Sequence, residues 1–298
     1  MDFIRSNILK DHTAATEART LDLPINPLSH ILISLEVYNV TDEATLAEII
    51  AFINSVSITW KGQTIYQLES EAISAQMAYL FASQVHLSNN VATDNASRNL
   101  GLIIPFGRSI FNPDECFPAT LRGELQLTLD TTVPATSCDN GIINVETVEL
   151  PGASPSRYLK STMLSVTAPG ATGENQIPLS IGNRYVALAL QHTTFTLTGS
   201  HTYGIKSCKI KKNNKEWGYS LAKTQAMMID RIFRVSSLPR DIAAFGQIIP
   251  DLYTWLDFDP VGNGEFLLES AGLSSLDLIL DMGVDEACKI IKMELVDL

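Results

Sequence analysis

Long apolar runs are missing from this chain of 298 residues, and stretches such as YVALAL at 185–190 fall far short of the roughly 20 residues that a membrane-spanning helix needs. The opening MDFIRSNILKDHTAATEART lacks both the uninterrupted apolar core and the small-residue cleavage site of a signal peptide, so export by that route is not expected. Cysteine is scarce. Cys116, Cys138, Cys208 and Cys288 stand apart with no C-x-x-C spacing, which points to neither a zinc site nor a redox motif and leaves buried free thiols as the plain reading. Positive charge is also short: 21 Lys and Arg against 33 Asp and Glu give a formal charge of -12, which repels phosphate backbones. Direct nucleic-acid contact is therefore not expected. The dense basic run KIKKNNK at 209–215 coincides with a predicted hairpin tip and reads as a solvated turn.

What is present is strand pattern. ILISLEV at 31–37, LQLTL at 125–129, IINVETVEL at 142–150 and FTL at 195–197 alternate or run apolar over strand lengths, with Gly, Pro, Asn and Asp clusters between them. The chain reads as mostly β. Helices are predicted only over 44–53 after a Thr41-Asp42 start signal, over about 69–83, and over about 222–233.

The stretch SITWKGQTIYQL at 57–68, followed by the helical ESEAISAQMAYLF, has an echo in SCKIKKNNKEWGYSL from Ser207, followed by AKTQAMMIDRIF. Other landmarks keep the same order at an offset of about 150 residues, a spacing too long for a solenoid or propeller repeat. LISLEV from Leu32 faces NRYVAL from Asn183, LGLIIPFGRSIFNP from Leu100 faces LYTWLDFDPVGNGE from Leu252, and LQLTLD ending at Asp130 faces LDLILD ending at Asp281. VETVEL ending at Leu150 faces IIKMEL ending at Leu295 after a shorter loop. Two whole domains are implied, with the Pro-, Gly- and Ser-rich stretch 151–173 at their boundary. The division expected is an N-terminal arm at 1–22, a first domain at 23–155 and a second at 156–298.

Each half holds about seven to nine short strands, too many for one flat sheet, and two packed antiparallel sheets solve that burial problem. The expected fold class is all-β with a few short helices: two tandem jelly-roll β-sandwiches, a double jelly roll. An immunoglobulin-like sandwich lacks the Cys-Trp-Cys spacing.

The order of a helix, INSVSITWKGQTIYQL, a second helix, LIIPFG and a Pro-rich loop NPDECFPATLRGELQLTL, then the whole arrangement again, resembles the double jelly-roll major capsid proteins of tailless icosahedral viruses, the lineage of membrane-containing phages and adenoviruses. The resemblance is one of architecture over nearly the whole chain, without a signature residue set. It implies a structural protein, not an enzyme, whose homotrimers have a pseudo-hexagonal outline and tile an icosahedral shell beside neighbouring capsomers and other virion proteins. It further implies a place in the virion, assembly in the host cytoplasm, and contact with an internal membrane through an N-terminal segment. In this chain that segment would be 1–22, where Phe3, Ile4, Ile8 and Leu9 supply an apolar face.

Catalytic signatures are absent: there is no G-x-S-x-G, Walker loop, H-E-x-x-H or dinucleotide fingerprint. His12, His30, His86, His192 and His201 form no close H-x-H pair, which weighs against a metal-dependent bicupin, although His192 and His201 remain a pair that a hairpin would bring together. A paired-carboxylate glycosidase leaves no sequence trace, and Glu124, Glu146, Glu149, Glu265 and Glu269 are available for one. In DFDPVGNGE, Asp257, Asp259, Asn263 and Glu265 are oxygen donors around two glycines, but Val261 stands where a calcium loop needs a donor, so an ordinary turn is the plainer reading. No catalytic residue, cofactor or metal ligand is assigned. Trp60, Trp217, Trp255, Tyr66 and Tyr219 serve either packing or a sugar-stacking platform, and the latter carries the alternative function, a tandem β-sandwich carbohydrate- or receptor-binding protein.

Overall fold

Burial with a period of two decides which faces pair. In Leu125–Thr131 every second residue is buried and the residues between are half-buried, as expected of a strand with one face on a core. The computed structural model describes residues 2–40, 44–82, 86–88, 94–133, 138–167, 172–191, 204–219, 222–223 and 253–298. They fall into two compact units, the first built on Met1–Thr162 and the second on Met163–Val235 and Asp251–Val296.

In the first unit the strands are β1 (Ile4–Thr13), β2 (Glu17–Asp22), β3 (Leu28–Asn39), β4 (Ile53–Trp60), β5 (Gln63–Glu69), β6 (His86–Ser88), β7 (Ser97–Pro105), β8 (Leu125–Thr131), β9 (Cys138–Glu149) and the first part of β10 (Arg157–Val166). One sheet runs β1-β9-β3-β7-β6, and a second has β10-β5-β4-β8-β2 side by side. Ile31, Ile33, Leu35 and Val37 of β3 share one strand face and are buried, as are Val56 and Ile58 of β4 and Leu125, Leu127 and Leu129 of β8. Each such side chain contributes about 1.5–3 kcal/mol by leaving water.

Two helices interrupt the strands. The first, α1 (Leu46–Ile50), is shorter than the 44–53 expected, because Thr45 and Glu48 form a capping box that starts it and Ile53 already pairs with Thr131 in β4. Residues 41–43, where the start signal was read, lie outside the described residues. The second, α2 (Ser70–Phe81), follows the β4–β5 hairpin as expected and ends on Ala82 in the left-handed region. The hairpin itself turns on Lys61 and Gly62, both with positive φ (50° and 77°), the geometry that matches the twist of paired strands.

The second unit contains β11 (Gly173–Pro178), β12 (Arg184–Gln191), β13 (Ile205–Lys212), β14 (Lys215–Glu216), β15 (Ala222–Lys223), β16 (Tyr253–Asp257), β17 (Leu268–Glu269), β18 (Leu276–Met282) and β19 (Cys288–Asp297). Its strand orders are β19-β12-β16 and β11-β18-β13-β14, with β17 on β12 and β15 on β13. These repeat β9-β3-β7 and β2-β8-β4-β5 of the first unit, strand for strand. The hairpin of β13 and β14 turns on Asn213 and Asn214, again both at positive φ (50° and 63°). Tyr185, Leu188 and Leu190 of β12 pack with Ile205 and Ile210 of β13, Leu278 and Leu280 of β18 and Ile290 of β19 in one core.

Alternation of the chain between two antiparallel sheets, in the same order twice, is the double jelly roll expected. Three expectations meet a different local structure. Most of the stretch read as an arm, 1–22, is the paired strands β1 and β2, running from Ile4 opposite Glu149 to Asp22 opposite Gln126, because β9 and β8 each have an edge to be filled. The division between units falls inside β10, a few residues past the expected 155/156 boundary, since the start of β10 pairs with β5 of the first unit. Of the helix expected over 222–233, Ala222–Lys223 is a strand on β13, and 224–233 lie outside the described residues, as does FTL at 195–197.

Candidate functional site

The residues singled out by sequence are engaged locally, each in its own element. In the 257–265 loop, the Asp257 carboxylate accepts the Asp259 N–H at 2.8 Å, and the buried Asp259 carboxylate accepts the Gly264 N–H at 2.8 Å. Asn263 accepts the Glu265 N–H at 2.9 Å, and Gly262 and Gly264 take positive φ. The oxygen donors thus hold their own backbone in a turn. Among the described residues, no group of three or more His, Cys, Asp or Glu side chains converges as a metal site requires.

The five carboxylates are likewise each engaged by local partners. Glu124 accepts the Leu121 N–H at 3.2 Å and faces Lys61 at 3.6 Å, Glu146 is paired with Arg5, and Glu269 lies 3.6 Å from Arg184. Glu265 accepts from the Asn263 amide at 3.3 Å. Glu149 differs, being buried, with Ser6 donating at 2.9 Å and Asn26 at 2.8 Å. The landmark alignment VETVEL against IIKMEL sets Glu149 opposite Glu294, and the structure gives that residue the same environment: it is buried, with Ser180 donating at 3.3 Å and Asn183 at 3.2 Å. Asn26 and Asn183 lie on equivalent loops, β2 to β3 and β11 to β12.

His12 contacts Glu17 at 2.8 Å, and Arg19 donates to the same carboxylate at 3.0 Å; the Arg19 hydrogen bond, then that of His12, holds Glu17 below the usual carboxylate range. His30 is buried against Ser29 and the edge of Phe111, and burial, aided by the charge of Arg5, pushes its pKa down to about 4. It is neutral at pH 7. His86 lies in β6, while His192 and His201 lie outside the described residues.

The aromatics pack against protein. Trp60 meets Phe117 edge-on at 5.4 Å, and Phe117 meets Phe106 at 5.3 Å and Tyr158 at 4.9 Å. Trp217 and Tyr219 lie against Phe258, Trp255 is buried in β16, and Tyr66 is fully buried, donating to Gln76 at 3.0 Å. Tyr66 and Trp255 are thus buried, whereas Trp60, Trp217 and Tyr219 are half-buried rings packed on neighbouring aromatics. The basic run is a turn exposed at Asn213, Asn214 and Lys215, as expected, with Lys209 paired to Glu174 and the Lys212 ammonium 3.8 Å from the Trp217 ring centre.

One charged group escaped the sequence reading. Glu115, in the loop between β7 and β8 and only 2 % exposed, accepts from Arg108 at 2.9 Å and from Arg157 at 2.8 Å. Burial alone would raise its pKa, but the Arg108 hydrogen bond and the charges of Arg108 and Arg157 outweigh it and hold the carboxyl below its ordinary value. The triad fastens the start of β10 to the first unit, beside the Leu159 N–H bond to Phe106 at 2.8 Å and the Gln76 bond to Ser161 at 2.6 Å. Nothing in this set has a nucleophile beside a base, and its chemistry is positional.

No protein-family model matches the chain, and no curated protein sequence matches it. Solved structures do. The major capsid protein P2 of bacteriophage PM2 aligns over 100% of this chain and 98% of its own, with 13% identity and a TM-score of 0.68. The STIV major capsid protein aligns over 99% and 97%, with 14% identity and a TM-score of 0.73. A chain of the PBCV-1 virus capsid aligns over 99% and 94%, with 12% identity and a TM-score of 0.63. The strand order repeated in the two units is thus the double jelly-roll fold that these capsid proteins share.

Proposed function

We propose that this chain is the structural major capsid protein of a tailless icosahedral virus, assembling as pseudo-hexagonal homotrimers that tile the virion shell. The observation that carries the reading is the twofold recurrence of one strand order along the whole chain, matched end to end by solved major capsid proteins. Two similar sandwiches in one chain turn a three-fold assembly into a six-sided block, and a six-sided block fills a closed shell with one kind of contact. In this reading the two duplicated domains meet within β10, the role is structural rather than enzymatic, and the location is the virion after assembly in the host cytoplasm. Neighbouring capsomers and other virion proteins are its partners. Because β1 and β2 are paired into the sheets, contact with an internal membrane falls to the exposed Phe3 and Ile4 where β1 begins. Negative-stain electron microscopy of the purified protein tests the reading: particles with a hexagonal outline, or closed shells, support it. Single two-lobed particles under all salt conditions refute it.

A further inference from the structure

Asparagine followed by glycine occurs twice in this sequence, at 140–141 and 263–264, and the fold treats the two pairs oppositely. The side-chain amide of an asparagine is open to attack by the backbone nitrogen of the next residue, and a glycine there, having no Cβ, leaves the approach clear. Asn140 lies in β9, where Gly141 is buried opposite Val37 of β3. The Gly141 carbonyl accepts the Ala14 N–H at 2.6 Å, and a Cβ added to Gly141 would meet Phe52 at 3.0 Å and Ala14 at 3.1 Å. A five-membered ring closed at that point would break the strand pairing and has no room. Asn263 instead is exposed on the loop between β16 and β17. Its Oδ1 accepts the Glu265 N–H at 2.9 Å, an Asx turn that folds the side chain back on its own backbone and turns Cγ toward the Gly264 nitrogen. The Gly264 N–H donates to the buried Asp259 carboxylate at 2.8 Å, and the Asn263 Nδ2 donates to the Glu265 carboxylate at 3.3 Å. These are the partners that an acyl substitution uses: a base on the attacking nitrogen, a donor on the oxygen where charge develops, and an acceptor on the leaving group.

We propose that the 257–265 turn modifies itself, Asn263 closing to a succinimide with Gly264 and opening to aspartate or isoaspartate, with water as the one co-reactant. The Gly264 nitrogen bonds to Cγ of Asn263 as its proton passes to the Asp259 carboxylate, and the Glu265 N–H holds the oxygen through the tetrahedral stage. The Cγ–Nδ2 bond then breaks, and ammonia leaves with the proton that Asp259 returns. Water opens the ring at either carbonyl, and no atom changes its oxidation state. The product places a new negative charge between Asp259 and Glu265, where like charges repel. Isoaspartate also lengthens the backbone by one methylene, which pulls Gly264 away from Asp259. The change runs one way, so it records the age of the folded chain. It is independent of the capsid reading and goes beyond it.

The test incubates the full chain at neutral pH in heavy-oxygen water, both folded and in urea, and maps its peptides by mass spectrometry at intervals. In the folded chain the peptide containing Asn263 takes up one heavy oxygen and splits into aspartyl and isoaspartyl forms, about tenfold or more faster than the peptide containing Asn140. In urea the two peptides react at similar rates, and Asn263 reacts more slowly than in the folded chain. Asp259→Asn keeps the side-chain volume and an acceptor for Gly264 but removes the base, and it slows the reaction at 263 by about tenfold or more, with circular dichroism verifying the fold. An Asn263 that stays unmodified in the folded chain overturns the proposal. So does a folded rate below the rate in urea, which would make the turn protective. An unaltered rate in folded Asp259→Asn removes the base and overturns the turn as a built site. If that variant does not fold, the folded and urea rates of the parent chain decide.

Discussion

Asn26 donates its side-chain amide to the buried carboxylate of Glu149 at 2.8 Å, and the second unit repeats the relationship between Asn183 and Glu294 at 3.2 Å. Replacing Glu149 by Ala strands the Ser6 and Asn26 donors, and we expect a loss of about 2–4 kcal/mol in urea unfolding. Glu149→Gln, which keeps the volume and one acceptor, loses about half as much. Equal losses for Gln and Ala would mean that charge alone matters there.

Glu115 joins Arg108 and Arg157 in a buried triad. Glu115→Ala leaves two guanidinium groups without their shared anion, and a loss of about 3–5 kcal/mol follows. Its folded pKa lies below the ordinary 4.5, so the unfolded chain binds the proton first. The triad's contribution is whole above pH 4.5 and fades as the pH falls through the lower folded value. Acid unfolding followed by tryptophan fluorescence should therefore be less steep below pH 4.5 in Glu115→Gln than in the parent chain.

His30 gives a different window. Its folded pKa is about 4 against an ordinary 6.5, so the unfolded state takes up the proton first and stability falls as the pH drops from 6.5 to about 4. The loss amounts to on the order of 3 kcal/mol, and His30→Gln removes it. A parent and variant with identical pH dependence across that window would contradict the burial of a neutral imidazole.

The hairpin turn supplies a backbone test. Gly62 has φ of 77° with nothing near the position of an added Cβ, so Gly62→Ala acts through strain alone and destabilises by about 1 kcal/mol. Thermal melting reads that cost directly.

Cys116, Cys138, Cys208 and Cys288 are all buried free thiols. Burial pushes three of them up to about 11 and Cys208 up to about 12. A thiol reagent at pH 8 should label none of them until denaturant is added.

The repeated strand order was legible because its landmarks are apolar strands, alternating in burial in β8 and almost wholly buried in β18. LQLTLD and LDLILD are β8 and β18, neighbours of β4 and β13 in matching sheets. The β4–β5 turn was legible for a local reason, since Lys61-Gly62 needs positive φ. β1 was not: its pattern IRSNILKDHT is largely exposed on both faces, and it is a strand because the edge of β9 accepts it. The candidate sites were still less legible. Glu146 and Glu149 stand three positions apart on one strand and so face opposite ways: one pairs with Arg5 of β1 and the other is buried, and what alternation does not reveal is the partner, Asn26, on a loop remote in sequence. Glu115 was missed for the same reason, as Arg157 reaches it only after the chain has built the whole of β8 and β9.

Assembly is the central claim, and the mass of the full chain in solution, measured by multi-angle light scattering over a hundredfold range of concentration, tests it most directly. The account predicts three times the mass of one chain as the dominant species, giving way to the monomer only on dilution. A single-chain mass across the whole range would contradict it.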